Sequence, residues 1–229
     1  MPKPERILPV PDAFATCPTE GKVLKYYESV FEAAYVLLHP FIKPVSVGKE
    51  IFRPETCPTR SNIIKNCDAV PWGKVVTKAR LPSMAAVDIG LRSMILGLRK
   101  DLCNENYADK IRPLSDSDDI LPPSEGCFSD FLYDRVLGYI QQLGHDWVWA
   151  GDDFRTERKL YWIEGLKEDN SSTRYRRNIF TRDNSILWTV HWDSHFSFLC
   201  SSKSNLANVE SFEGFFCTPD TEVYWSVRP

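Results

Sequence analysis

What this chain lacks narrows its chemistry before anything it contains. There is no C-x-x-C pair: seven cysteines, at positions 17, 57, 67, 103, 127, 200 and 217, are scattered and odd in number. A zinc ribbon needs closely spaced ligand pairs, and the disulfide framework of a small secreted domain favours an even count. Free thiols in a reducing compartment are therefore expected. A G-x-S-x-G elbow, a P-loop and a G-x-G-x-x-G turn are all missing, which removes the commonest serine-hydrolase and nucleotide-binding signatures. No run of fifteen apolar residues occurs, so no membrane-spanning helix is expected. The opening MPKPERILPVPDAF is broken by prolines and has no apolar core of a secretory signal, which points to a cytoplasmic location. Charge is nearly balanced, at a net −3 and a pI near 5.9. That leaves no electrostatic footprint for nucleic acid or a membrane surface. The one basic knot, Arg174, Arg176 and Arg177 around Tyr175, is explained by a solvated loop.

What is present begins with rhythm. From Ile186 to Ser201 the sequence reads ILWTVHWDSHFSFLCS, with Trp188, Val190, Trp192, Ser194, Phe196, Phe198 and Cys200 on one parity. Alternation of this kind belongs to a β-strand, whose successive side chains point to opposite faces. The run is long enough for two strands. A two-residue loop at Asp193-Ser194 pairs Val190 with Ser197 and mixes apolar with polar on both faces. A three-residue loop, Trp192 to Ser194, pairs Val190 with Phe196 and Trp188 with Phe198, and segregates them. Register follows the hydrophobic pattern, so the odd loop is expected, with His191 and His195 sharing the other face.

The rest of the chain divides into a helical, loop-rich half (1–144) and a sheet half (145–229) of a single domain, with 43% hydrophobic residues to build a core. Helical spacing of Val23, Tyr27, Val30, Phe31, Ala34 and Leu38 predicts a helix over 22–38, ended by Pro40. Prolines punctuate 40–82 into ordered loop, with short strands at Val45–Val47 and Val75–Ala79. Ser83 caps a second helix, Met84–Leu102, with Asp88 and Arg92 paired on its outer side. Residues 103–127 read as an irregular link whose acidic Ser115–Asp119 is a solvated turn. Ser129 or Asp130 then opens a third helix, closed by Gly144. Strands follow at Asp146–Ala150, Lys159–Glu164, Asn178–Thr181, Ile186–His191 and His195–Ser201. Their short polar connections imply an antiparallel meander of about five strands. A terminal helix over Asn205–Glu213 and an aromatic tail complete an α+β chain. Its helices cover the aromatic face of the sheet and leave the histidine face to solvent.

Three constellations carry candidate chemistry. His191 and His195, opposite each other on neighbouring strands with Asp193 at the turn, make a 2-His-1-carboxylate set for a divalent metal. The competing account is a solvated polar face with an aspartate chosen for the turn. Asp152-Asp153 beside Trp147 and Trp149 resembles the furniture of a sugar site, but adjacent residues on a turn point apart and cannot flank one bond. Finally, aromatic residues crowd DWVWAGDDF and KLYWIEGL, where Trp147, Trp149, Tyr161 and Trp162 make an interaction surface. Trp and Tyr are the residue types that anchor protein interfaces. A thick two-sided core would use them equally well.

The run VHWDSHFSFLCSS, then a short helix, then EGFFCTPDTEVYW resembles uncharacterised bacterial domain-of-unknown-function families and loosely the small cytosolic immunity proteins of polymorphic toxins. It covers the C-terminal part of the chain and supplies no site residues. With no assembled active-site motif, an acidic net charge and abundant surface-capable aromatics, the expected protein is a non-catalytic bacterial one that binds another protein, immunity- or antitoxin-like, with no cofactor. The rival readings are a metal-dependent enzyme using His191, Asp193 and His195, and a small-ligand module using Trp147, Trp149 and Trp162.

Overall fold

The alternating stretch at 186–201 forms two neighbouring antiparallel strands, and a larger sheet is assembled around them. The computed structural model describes residues 12–52, 56, 58–117, 119–152, 157–168 and 177–223. In chain order the elements are β1 (Gly21–Lys22), α1 (Val23–Tyr26), β2 (Ala33–Leu38), β3 (Phe41–Pro44), α2 (Arg60–Asn66), β4 (Cys67–Val70), α3 (Trp72–Lys78), α4 (Met84–Met94) and α5 (Glu105–Ser117). Then come α6 (Asp130–Gln142), β5 (Trp147–Gly151), β6 (Arg158–Trp162), α7 (Ile163–Glu168), β7 (Asn178–Thr181), β8 (Leu187–Val190), β9 (Phe196–Ser201), β10 (Gly214–Phe216) and β11 (Glu222–Val223). The main sheet has seven antiparallel strands in the order β10-β2-β9-β8-β7-β5-β6. The class is α+β, as the alternation and turn chemistry imply. Two short ribbons, β1–β11 and β3–β4, stand beside the main sheet.

Two strands beyond the expected five join this sheet, and the larger surprise is β2. Residues 22–38 are not one helix. The helix α1 stops after a turn, Ser29 takes a left-handed φ of 68°, and Ala33–Leu38 runs as a strand between β10 and β9. The reason is burial on both sides. Ala34, Val36 and Leu38 enter one core, while Tyr35 and Leu37 enter the other. A strand covered on both faces reads as an unbroken apolar run, without the period that marks a half-exposed one. The N-terminal half thus contributes a strand to the middle of the sheet.

Both faces are covered. One core layer holds Val75, Val87, Leu91 and Ile111 from α3, α4 and α5 against Val36, Phe198 and Leu187. The other holds Leu132, Val136 and Ile140 from α6 and Ile163 and Leu166 from α7 against Leu37, Trp188 and Leu199. Along β2, β9, β8 and β7 the expected open, wet face is absent among the described residues. The register between β8 and β9 is corrected as well. Val190 pairs with Ser197, Thr189 with Phe198 and Trp188 with Leu199, the pairing of a two-residue loop. Segregating apolar from polar decides register only where one side is wet; here both sides are dry, and Thr189 and Trp188 find buried partners instead. Thr189 donates to Asn178 Oδ1 at 2.6 Å, and the Trp188 indole donates to Ser197 Oγ at 2.9 Å.

Several local expectations change for identifiable reasons. The helix from Met84 ends at Met94, because Leu96 turns left-handed (φ 59°) and Gly97 N–H bonds back to the Arg92 carbonyl. The link at 103–127 contains α5, opened by Asn104, whose side chain accepts from Tyr107 N–H at 3.2 Å; Pro113 lies within it. Val75–Ala79 lies in and at the end of α3, not in a strand, and the first strand after Pro40 is Phe41–Pro44 instead of Val45–Val47. The segment 205–213 is turns and a single 3-10 turn at Val209–Ser211, not a helix. The helix α6 and the left-handed Gly144 (φ 93°) agree with expectation. No disulfide joins any two of the six described cysteines; Cys57 lies outside the described residues, as do Arg174, Tyr175, Arg176, Asp153 and the tail beyond Val223. No described helix is long and apolar enough to cross a membrane.

The two-sided burial of β2 has a direct consequence for stability. Leu37→Ala should cost about 2–5 kcal/mol, as large-to-small changes in packed cores do. Ile64→Ala, on the exposed side of α2, should move stability by less than about 0.5 kcal/mol. Urea unfolding of both variants measures the contrast, and equal losses would contradict a central β2.

Candidate functional site

The HWDSH turn closes the β8–β9 hairpin, and its surroundings make it an interior feature. His191 is 1% exposed and His195 is 3% exposed. The strands end at Val190 and Phe196, so each histidine lies one residue past a strand terminus. By register His191 continues the row of Leu187 and Thr189, while His195 continues the row of Ser197 and Leu199. The two therefore leave opposite sides of the sheet; they do not share a face. The turn is held by its own bonds. Ser194 N–H donates to the His191 carbonyl at 3.0 Å, and Asp193 N–H donates to His191 Nδ1 at 3.1 Å. Gly126 seals it from outside: it has a left-handed φ of 59°, its N–H donates to the Ser194 carbonyl, and a Cβ there would meet the Trp192 carbonyl oxygen at 2.3 Å.

A third histidine, which sequence reasoning did not single out, belongs to the same knot. His39 follows β2 directly, and its N–H donates to the His195 carbonyl at 3.2 Å. Its Nε2 lies 3.0 Å from Ser197 Oγ, the hydroxyl that already accepts from Trp188. Its carbonyl accepts from the Trp72 indole at 2.6 Å. Arg92, on the last turn of α4, completes the cluster; it is buried and donates to the Gly97 carbonyl at 2.9 Å. Asp88 and Arg92 therefore point inward, not outward as their spacing predicted.

The net electrostatic shift has the same sign at all three rings, although a backbone hydrogen bond to Thr19 opposes it at His191. Burial lowers each of His39, His191 and His195 to about 3. The Arg92 guanidinium adds to the shift at His191 and His195, and His195 adds to it at His39. All three rings are neutral near pH 7. At His191 the accepting Nδ1 fixes the tautomer, so Nε2 carries the proton and presents an N–H, not a lone pair. Of the proposed metal set the structure brings His191 and Asp193 into contact through that backbone bond. Among the described residues no three His, Cys, Asp or Glu side chains are grouped to hold a metal ion.

The aromatic surface is divided by strand parity. Trp147 pairs with Trp162 and Trp149 with Leu160, so these four form one row across β5 and β6. Trp147 is 51% exposed, Trp162 is 49% and Leu160 is 37%, whereas Trp149 packs onto the core beneath the Arg158 guanidinium. Tyr161 leaves the other face and packs against the α6 layer. The row ends at β6, the outermost strand on that side of the sheet.

A cavity of about 180 Å³ opens on the other side of the molecule, between α4 and the strands β2, β9 and β10. Trp72, Phe196, Phe198 and Phe215 line it, and among the described residues Asp88 and Glu222 are its only charged ones. Nothing in the sequence assembles this set, because its members come from positions as far apart as 72 and 222.

Fold and site together define a seven-stranded α+β protein with a dry polar knot at a hairpin end and exposed aromatics at one sheet edge. The chain belongs to the family described as a protein of unknown function, DUF2711, whose model matches residues 19–227. The relationship extends over nearly the whole chain, well past the C-terminal segment that first carried the resemblance. No curated protein and no solved structure matches the chain.

The three histidines set a pH dependence. Their folded pKa, about 3, lies below the ordinary 6.5, so the unfolded chain binds more protons between those values. Their contribution to stability is complete above pH 6.5 and is lost as pH falls toward 3. At pH 5 the loss is about 2 kcal/mol per histidine relative to pH 7.5. Asp88, raised to about 6 by burial, works in the opposite sense as it takes up its proton, and offsets part of this. Urea midpoints at the two pH values test the sum; an equal or higher stability at pH 5 would contradict neutral, buried rings.

Proposed function

We propose that the protein acts by binding another protein, taking an extended segment of its partner as an additional strand on β6. The observation that carries this reading is the half-exposed pair Trp147 and Trp162, facing each other across β5 and β6, the outermost strand of the sheet among the described residues, with Leu160 beside them. An outermost strand offers unpaired backbone groups to an incoming chain, and an apolar row next to them supplies burial. Large exposed aromatics at such an edge are the usual anchors of an interface.

The strand's chemistry describes the partner segment. Arg158 and Lys159 occupy its first half, exposed and held over the rings of Trp149 and Tyr161. Its second half carries Leu160 and Trp162. A complementary segment has acidic side chains opposite the two cations and apolar ones opposite the leucine and tryptophan, with charge complementarity setting its direction along β6.

A photo-reactive residue in place of Leu160, in the full chain expressed in its own cells, tests the reading. One partner protein should cross-link through an acidic, extended segment, and capture should fall about tenfold or more in Trp147→Ser and in Trp162→Ser. Cross-links to copies of this chain alone, or capture unchanged by both substitutions, would overturn it.

A further inference from the structure

The cavity beneath α4 holds a chemical contradiction that the fold itself does not resolve. Its walls are aromatic and aliphatic, yet Asp88 reaches into it with Oδ1 buried and without a hydrogen-bond partner. Buried carboxylate oxygens are nearly always hydrogen-bonded, so an orphaned one asks what completes it. Arg92, one turn further along α4, draws the carboxyl toward its charged form, and its guanidinium donates to the Gly97 carbonyl. Burial outweighs that attraction and raises Asp88 to about 6, so near pH 7 the group is mostly an anion in an apolar recess. Glu222 adds a second negative charge at the wall, and among the described residues no lysine, arginine or histidine lines the space.

We propose that this cavity is a binding site for a small organic ammonium ion, with Asp88 as its counter-ion and the surrounding rings as its walls. Each part of the site suits that class of ligand. An ammonium group donates charge-assisted hydrogen bonds to a carboxylate, and Oδ1 is placed to accept one. Aromatic faces attract cations, and four aromatic side chains, Trp72, Phe196, Phe198 and Phe215, enclose the space. The volume sets the size. An apolar cavity of about 150 Å³ holds benzene, so about 180 Å³ accommodates one ring, or a short alkyl chain, together with the amine. Anions are excluded by the two acids. A neutral hydrocarbon of the same shape fills the walls but leaves the carboxylate uncompensated.

Benzylamine and its neutral counterpart benzyl alcohol separate these cases, with binding to the full chain followed by calorimetry at pH 7.5. Benzylamine should bind saturably in the millimolar range or tighter, and benzyl alcohol about tenfold more weakly or not at all. Asp88→Asn should weaken benzylamine about tenfold while leaving benzyl alcohol unchanged. Because an altered α4 could disturb folding, a second variant works from the outside. Ala85 lines the cavity from the exposed side of α4, and Ala85→Phe should fill the space and abolish binding with an unchanged circular dichroism spectrum. Equal affinity for the amine and the alcohol, retention of benzylamine by Asp88→Asn, or no saturable binding of benzylamine at all would overturn the assignment.

Discussion

The central constraint is that β2, β9, β8 and β7 are buried on both faces at once. A strand in that position cannot hand its polar side chains to water, so every hydroxyl, amide and imidazole along it must be satisfied by the protein or remain a cost. The sheet answers with short internal chains of bonds. Thr189 donates to Asn178, whose own amide donates to the Asp152 carbonyl; Ser201 donates to the Ser185 carbonyl; Thr181 gathers Ser185 N–H and Ile186 N–H. The longest chain joins Trp188, Ser197 and His39, and links neighbouring strands through side chains as well as backbone. Burial on two sides thus explains the polar residues as much as the apolar ones.

The same constraint decides what could be read from the sequence. Helix α6 and the strands β5, β7, β8 and β9 were legible, because a capped amphipathic stripe and turn-separated runs are local signals. Strand β2 was not, since AAYVLL carries no alternation and its flanking Val23, Tyr27 and Phe31 happen to fall at helical spacing. Helix α5 had a legible start in Asn104 and a buried stripe in Ala108, Ile111 and Leu114, but Pro113 and the acidic residues after it argued for a loop. Of the site residues, the turn histidines were found and their environment was not. Alternation says which side chains share a parity; it does not say what lies above them. The Asp88 cavity left no trace in the sequence, because a wall assembled from six separate segments between Val36 and Glu222 has no spacing to detect.

Placing the histidines indoors changes what they can do. Exposed imidazoles near pH 7 are proton carriers or metal ligands; these three are held neutral by lack of water, and His191 and His195 also by a buried guanidinium. His39 and His191 instead act as joints. The first ties β2 to β9 through Ser197 and receives the Trp72 indole on its carbonyl, and the second organises the hairpin turn through Asp193 N–H. Trp72 is the shared member: its indole bonds the knot while its ring walls the cavity, so polar and apolar features at this end of the sheet are mechanically one unit.

The two edges of the sheet are finished differently, and the difference bears on both proposed sites. At β6 the strand is five residues long and carries Arg158 and Lys159, charges that discourage indiscriminate pairing while leaving the edge open. At β10 the strand has only three residues and begins at Gly214, where a Cβ would fall 1.9 Å from the Val36 carbonyl oxygen. Glycine is therefore required for β10 to lie this close to β2. That approach fixes the register Phe215↔Val36, which turns Phe215 toward the Asp88 cavity and leaves Phe216 to pack edge-on against Tyr35. Glu213, just before the glycine, accepts from Trp72 N–H and Gly73 N–H and so ties the same edge to α3. The short edge thus closes a recess, and the long edge is the one that the proposed partner strand would extend.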